Sequence, residues 1–201
     1  LSLIQKTDGL TFGTDALLLA GYISGKYESA AELGGGSGII SMLLLTRKKI
    51  ASCVAIEVQA EYADLIRRNA ELNGLSDILT AEESDIRSFK PSAEFELVFT
   101  NPPYMKTDSG KRNYSDAKYI ARHEVCGDIN TFCAAGFRLL KHGGKFYVVW
   151  RPDRICDLFY ALRANRLEPK IVTFVHADTQ SEPSIVLVSA TKGGASGANV
   201  T

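Results

Sequence analysis

Ser29-Ala30-Ala31-Glu32-Leu33-Gly34-Gly35-Gly36-Ser37-Gly38-Ile39-Ile40 is the stretch that decides the fold. A short, largely apolar run through Leu33 reads as a buried strand. The glycine-rich turn 34–38 breaks it, and a second apolar run, Ile39 to Leu45, resumes as a helix. Strand, glycine turn and helix in this order open an α/β sheet whose strands run parallel. The glycines at 34, 36 and 38 form G-x-G-x-G, whereas a dinucleotide fingerprint needs its third glycine where Ile39 stands. Glycines so spaced let backbone approach a ligand closely and aim helix N-terminal N–H groups at a carboxylate, without requiring a pyrophosphate. The plainer alternative is a tight strand-to-helix turn.

Working outward, the next strand, Ser52 to Ile56, ends on Glu57, 21 residues beyond Gly36. An acid at that strand tip can accept both hydroxyls of a ribose. A helix from Ala60 to Leu72 follows, with Ala63, Ile66 and Ala70 on one face and Asn73-Gly74 as its stop. A third strand, Ile78 to Ala81, leads to Ser84-Asp85-Ile86. Asp85 either meets an adenine amino group, with Ile86 against the ring, or caps the turn that follows. On the amino-terminal side, Gln5 to Phe12 reads as an extended lead-in, and Thr14 or Asp15 can cap a helix whose body is Ala16 to Ala20. Further on, a helix from Ile129 to Leu140 is expected to end at Gly143-Gly144, before a strand from Lys145 to Trp150. Arg151-Pro152-Asp153 opens a helix to Asn165. The runs Val172 to Val175 and Ile185 to Ser189 make a closing hairpin.

Between these lies the fourth strand, Glu94 to Phe99, and at its tip Thr100-Asn101-Pro102-Pro103-Tyr104. Two prolines cannot continue a central strand, and they stiffen the backbone that follows it. The Asn101 side-chain oxygen and the Pro102 carbonyl could each accept one N–H of a planar amino group, while Tyr104 stacks on the flat substrate. Pulling both protons toward oxygen draws the nitrogen lone pair out of conjugation and makes it a nucleophile. A proline-rich turn after a strand is the bland alternative.

The 201 residues, 45% hydrophobic and 23% charged, suit one soluble globular domain: a lead-in with helix over 1–28 and an α/β core over 29–201. Lysine plus arginine balances aspartate plus glutamate at 23 each, so any nucleic-acid surface must be local. The segment Met105 to Arg122 provides one, with Lys106, Lys111, Arg112, Lys118 and Arg122 against Asp108 and Asp116, interleaved with Tyr114 and Tyr119. A basic-aromatic loop beside the site is what a single-stranded nucleic acid would use; a solvated charged loop is the alternative. Cys53, Cys126, Cys133 and Cys156 form no Cys-x-x-Cys pair and are read as core thiols of a cytoplasmic protein, with no metal site. No run is apolar enough for a membrane span, and both ends of the chain read as trimmed or frayed.

With the glycine loop and Asn101-Pro102-Pro103-Tyr104 in place, the chain resembles the class I S-adenosyl-L-methionine (SAM)-dependent methyltransferases. Phe12-Gly13-Thr14-Asp15-Ala16-Leu17-Leu18-Leu19, Glu32 to Ile40, Asn101 to Tyr104 and Arg122-His123-Glu124 together look like the bacterial tRNA(Val) adenine-37 N6-methyltransferase family. That resemblance implies a Rossmann-like, seven-stranded, mostly parallel sheet with a carboxyl-terminal antiparallel hairpin and helices on both faces. It implies SAM held by Thr14, Asp15, Glu32, Gly34, Gly36, Gly38, Glu57, Val58, Asp85, Ile86 and Asn101. It also implies catalysis at Asn101, Pro102, Pro103 and Tyr104, a tRNA anticodon loop on Lys106, Lys111, Arg112, Tyr114, Lys118 and Arg122, and a monomer. Two positions depart from the family pattern: Glu32 where aspartate is commoner, and Gly35 where threonine or cysteine is common. The same amino-gripping motif could serve glutamine N5-methylation of a release factor, although the helical domain those enzymes carry ahead of the fold has no counterpart in the roughly 28 residues before the first strand. A noncatalytic SAM- or RNA-binding module is the third possibility.

Overall fold

The computed structural model describes residues 1–6, 13–103 and 127–201. Five helices, α1 (Thr14–Tyr22), α2 (Ile39–Thr46), α3 (Ala60–Leu72), α4 (Ile129–Leu139) and α5 (Ile155–Ala164), are found among them. The strands are β1 (Tyr27–Leu33), β2 (Ile50–Glu57), β3 (Leu79–Glu83), β4 (Phe95–Thr100), β5 (Leu140–Trp150), β6 (Leu167–His176), β7 (Pro183–Lys192) and β8 (Asn199–Val200).

They form one sheet in the order β3-β2-β1-β4-β5-β7-β6-β8. The first five strands pair in parallel, and β7 runs antiparallel to both β5 and β6, which confirms the expected hairpin. The chain builds outward from β1 to β3, then crosses back to lay β4 on the other side of β1. That reversal leaves a crevice at the carboxyl ends of β1 and β4, where open α/β sheets bind ligands.

Central parallel strands are covered on both faces, so their side chains alternate between two apolar layers. Ala30, Leu97, Phe99, Tyr147 and Leu187 belong to one core cluster, which α1, α2 and α3 cover with Leu19, Met42 and Ile66. Ala31, Leu33, Val98, Phe146 and Val188 belong to the other, closed by Phe132 and Leu139 of α4 and Leu158 and Leu162 of α5.

The structure corrects several expectations. The sheet has eight strands, because Asn199 and Val200 pair in parallel with Ile171 and Val172. That end is not frayed: Thr201 donates to Val172 O and accepts from Phe174 N. Nor is the amino-terminal end, since Ile4 is hydrogen-bonded to Asn69 of α3 and Ser2 to Asn73, which ends that helix. Gly143-Gly144 does not stop a helix: α4 ends at Leu139, and the glycines fall where the β4–β5 register shifts between Phe95 and Leu97. Gly143 has φ 76°, and a Cβ on Gly144 would meet Lys141 O at 2.8 Å. The α1 cap is also different, with Thr14 as the first helical residue after Gly13 and no side-chain cap. Of the cysteines, Cys53 and Cys133 are buried, Cys156 is exposed, and Cys126 lies outside the described residues.

Candidate active site

The site begins with a pairing. In the β1–β4 register, Leu33 stands opposite Thr100, and the buried Thr100 Oγ1 donates to Leu33 O at 2.8 Å. Each residue is the last of its strand. The glycine loop 34–38 therefore leaves the sheet beside Asn101-Pro102-Pro103, about one strand spacing away, near 4.8 Å. Asn101 is half-buried, Pro102 buried and Pro103 exposed. Tyr104, Lys106, Lys111, Arg112, Tyr114, Lys118 and Arg122 lie outside the described residues, as do His123 and Glu124.

Local bonding fixes the glycine loop. Gly34 and Gly35 N–H both reach Ile56 O, at 2.9 and 3.2 Å, and Gly38 N–H closes a turn on Gly35 O at 2.8 Å. Gly36 N–H reaches Glu57 Oε2 at 3.1 Å. The N–H groups of Gly34, Gly35, Gly36 and Gly38 are thus spent inside the protein. What the alternating glycines supply is backbone shape: Gly34, Gly36 and Gly38 have φ of 72°, 55° and 78°, where an L side chain is strained. Around Gly36 the position of a Cβ has no neighbour within 4 Å, a cradle into which a ligand can come against bare backbone. Gly35 is glycine for another reason. A Cβ there would sit 2.8 Å from Ile66 Cδ1 and 3.2 Å from the Ala55 side chain, so the bulk of Ile66 on α3 takes the room a threonine or cysteine would need.

Glu57, at the tip of β2, is 5% exposed, and its Oε1 accepts from Gln59 N at 2.9 Å. A carboxylate has about four lone-pair sites, so one bond on each oxygen leaves capacity for two hydroxyls. The residues present fit a nucleoside cofactor on this observation: a bare-backbone cradle at Gly36 beside a buried carboxylate with acceptors to spare. Val58, next in the chain, is half-buried.

Glu32 turns to a partner inside the protein. It is 2% exposed, and its carboxylate accepts the N–H of Ser41 at 3.3 Å and a short bond from Ser41 Oγ. Gly38, the N-cap position of α2, has no side chain to satisfy the first turn, and Glu32 reaches across from β1 to do so. Ser41 Oγ also lies 3.1 Å from Cys53 Sγ on β2. Burial pushes the Glu32 carboxyl up to about 8; the Ser41 bonds offset part of this, and the Glu57 charge adds to it. The same burial raises the Cys53 thiol.

At the tip of β3, Ser84 N donates to Glu57 O, which sets Asp85 beside the Glu57 strand end. The cap reading of Asp85 is the one the structure shows. Its carboxylate accepts Arg87 N at 2.8 Å and Arg87 Nε at 2.9 Å, and its carbonyl takes Ser88 and Phe89 N–H. Those Arg87 bonds hold its carboxyl below the usual carboxylate range. Ile86 is buried in the second core cluster. Thr14 is exposed and Asp15 half-buried in the first turn of α1. Ser41 and Asn69 were not singled out in the sequence, and Ile66 and Thr100 were read only as part of a helix face and a strand end, since a lone polar or apolar residue within an element carries no signal of its own. Among the described residues no group of acids, histidines and cysteines could hold a metal ion, and no helix is long and apolar enough to cross a membrane.

Residues 7–158 match the family model described as methyltransferase small domain. A tRNA1(Val) (adenine(37)-N6)-methyltransferase of Phocaeicola vulgatus is 29% identical over 178 residues, covering 88% of this chain and 75% of that protein. The protein of the same name from Dyadobacter fermentans is 28% identical over 141 residues, 70% of this chain and 58% of that protein. Among solved structures, a predicted O-methyltransferase from Agrobacterium tumefaciens superposes with TM-score 0.73 at 23% identity, covering 93% of this chain and 84% of that one. A methyltransferase from Pyrococcus furiosus gives TM-score 0.70 at 17% identity over 96% of this chain and 89% of that one. These two share the fold.

Two outcomes are expected at the loop and beneath it. Gly36→Ala strains a left-handed residue by about 1 kcal/mol and fills the cradle, so calorimetry should show SAM affinity falling at least about tenfold while the fold survives. Glu32→Gln removes a carboxyl whose native value lies above its ordinary 4.5. Between pH 4.5 and about 8 the native wild type binds the extra proton, so its stability falls as pH rises. The melting temperature of Glu32→Gln relative to wild type should therefore climb across that window and level off above it; a pH-independent difference contradicts the assignment.

Proposed function

We infer that this chain, which belongs to the methyltransferase small domain family, is a SAM-dependent N-methyltransferase whose target is the N6 amino group of an adenine in tRNA, at anticodon-loop position 37 of a valine tRNA. The observation that carries the reading is the Leu33–Thr100 pairing, which puts Asn101-Pro102 and the glycine loop side by side in the crevice. The names of the relatives support adenine in tRNA as the substrate.

The chain's own part is positioning. Glu57 takes the ribose hydroxyls of the donor, the bare backbone at Gly36 admits it closely, and Thr14, Asp15, Val58, Asp85 and Ile86 border the same end of the sheet. Bound SAM supplies a methyl group made electrophilic by its sulfonium. Asn101 Oδ1 and Pro102 O accept the two N–H groups of the adenine, which localises the lone pair on nitrogen. A lone pair so placed would attack the methyl that bound SAM would supply, with the thioether as leaving group and the extra proton passing to water, so no strong general base is needed. Two prolines hold both acceptors in place beforehand, and Tyr104 stacks on the base. An adenine flipped from an anticodon loop costs less than one flipped from a duplex. The basic residues Lys106, Lys111, Arg112, Lys118 and Arg122, with Tyr114, hold the surrounding RNA.

Asn101→Ala should leave SAM affinity within about threefold of wild type and cut methyl transfer by about 100-fold or more, as loss of a preorganised polar group does. Undiminished turnover in that variant contradicts the mechanism. Mass spectrometry of digested tRNA should find N6-methyladenosine at position 37, and label appearing in a release factor instead of tRNA contradicts the substrate.

A further inference from the structure

The geometry points to Asn69 as a positioning residue for SAM binding, one that ties the cofactor loop to the amino-terminal segment. Asn69 lies on α3 and is 0% exposed, a polar side chain sealed inside the protein. Both of its amide hydrogens and its oxygen are engaged: Nδ2 donates to Ser37 O at 3.0 Å and to Ile4 O at 3.1 Å, and Oδ1 accepts Ile4 N–H at 2.7 Å. A buried amide bonded through both its donors and its acceptor is costly to disturb and holds its partners in one arrangement. Its bonds tie α3, on which it stands, to the glycine loop and to the segment 1–6.

Asn73, one turn on, makes a similar rung to Ser2, with Oδ1 accepting Ser2 N–H at 2.9 Å and Nδ2 donating to Ser2 O at 2.7 Å. The two asparagines, four residues apart, hold alternate residues, Ser2 and Ile4, of the segment 1–6. Asn73 Nδ2 also donates to the backbone carbonyl of Asn69 at 2.7 Å and to Met42 Sδ at 3.7 Å. Of the two rungs only that of Asn69 continues to the loop, where Ser37 lies between the turn-forming Gly36 and Gly38. Ile66, three residues before Asn69 and on the same face of α3, presses on Gly35 and Gly38. Helix α3 thus shapes the loop twice, by the bulk of Ile66 and by the bond to the Ser37 carbonyl.

Without Asn69 the loop should sample other arrangements, and SAM should bind only the fraction that keeps the cradle open, weakening apparent affinity by that fraction. Asn101 is untouched, so the chemical step at saturating SAM should be preserved. The inference rests on SAM binding at the loop, and the experiment separates the two. Asn69→Ala is expected to raise the Kd and KM for SAM about tenfold, with kcat at saturating SAM within about threefold of wild type. Asn73→Ala loosens the same segment without touching the loop, and should lower the melting temperature with Kd for SAM within about twofold. In wild type, adding sinefungin should slow hydrogen exchange in residues 1–6 as well as 34–41, a readout that stands even if Asn69→Ala does not fold. Unchanged Kd in Asn69→Ala, an equal loss of affinity in both variants, or protection confined to 34–41 would overturn the role of Asn69. Failure of wild type to bind SAM would overturn the cofactor reading itself.

Discussion

The register between β1 and β4 is the constraint on which the site depends. Both strands end at the same level, Leu33 beside Thr100, and the Thr100 hydroxyl locks that level by donating to the Leu33 carbonyl. Slipping either strand by one residue would move its tip by about 3.3 Å and turn every side chain to the opposite face. Asn101 would then leave the crevice, and Ala30 and Ala31 would exchange core layers. The apolar alternation that fills both layers is thus also what holds Asn101-Pro102 beside the glycine loop. Stability and site geometry here share one cause, the burial of strand faces that fit in only one register.

Polar groups are scarce in the interior, and several of the few that occur lie under the loop. Glu32, Ser41, Glu57 and Asn69 are each 5% exposed or less, and each is bonded to backbone or to one another. A buried polar group costs stability unless it is satisfied, so such a cluster is kept only where it fixes something. Glu32 caps α2, Glu57 holds Gly36, and Asn69 holds Ser37. Burial is the main reason the Glu32 carboxyl is raised, and the charge on Glu57 adds to it. The arrangement leaves Glu57 as the acceptor open to a ligand and Glu32 as its structural counterpart behind the turn.

Much of this was legible in the residues. The succession of strands and helices, the final hairpin and the glycine turn at 34–38 follow from spacing alone, because strand length, turn chemistry and periodicity are local properties. The partners of the loop were not, since Ile56, Glu57 and Asn69 come from elements 20 or more residues away and only packing brings them there. Gly35 read only as a departure from the family pattern; its meaning lies in Ile66, which no local pattern connects to it. Asp85 makes the cap that one of its two readings allowed, and its Arg87 partner two residues on is not a feature the motif announces. Gly143-Gly144 misled because a glycine pair suits a helix stop and a strand bulge equally well. Cys156 was placed inside by residue type, but it falls on the exposed face of α5.

The most direct test of the account is the crystal structure of the protein with sinefungin, a SAM analogue that carries an amine in place of the transferable methyl. The account predicts the analogue against Gly36 with its ribose on Glu57, its amine directed toward Asn101 Oδ1 and Pro102 O. An analogue bound away from residues 34–38, or an Asn101 side chain turned out of the crevice it shares with them, would contradict it.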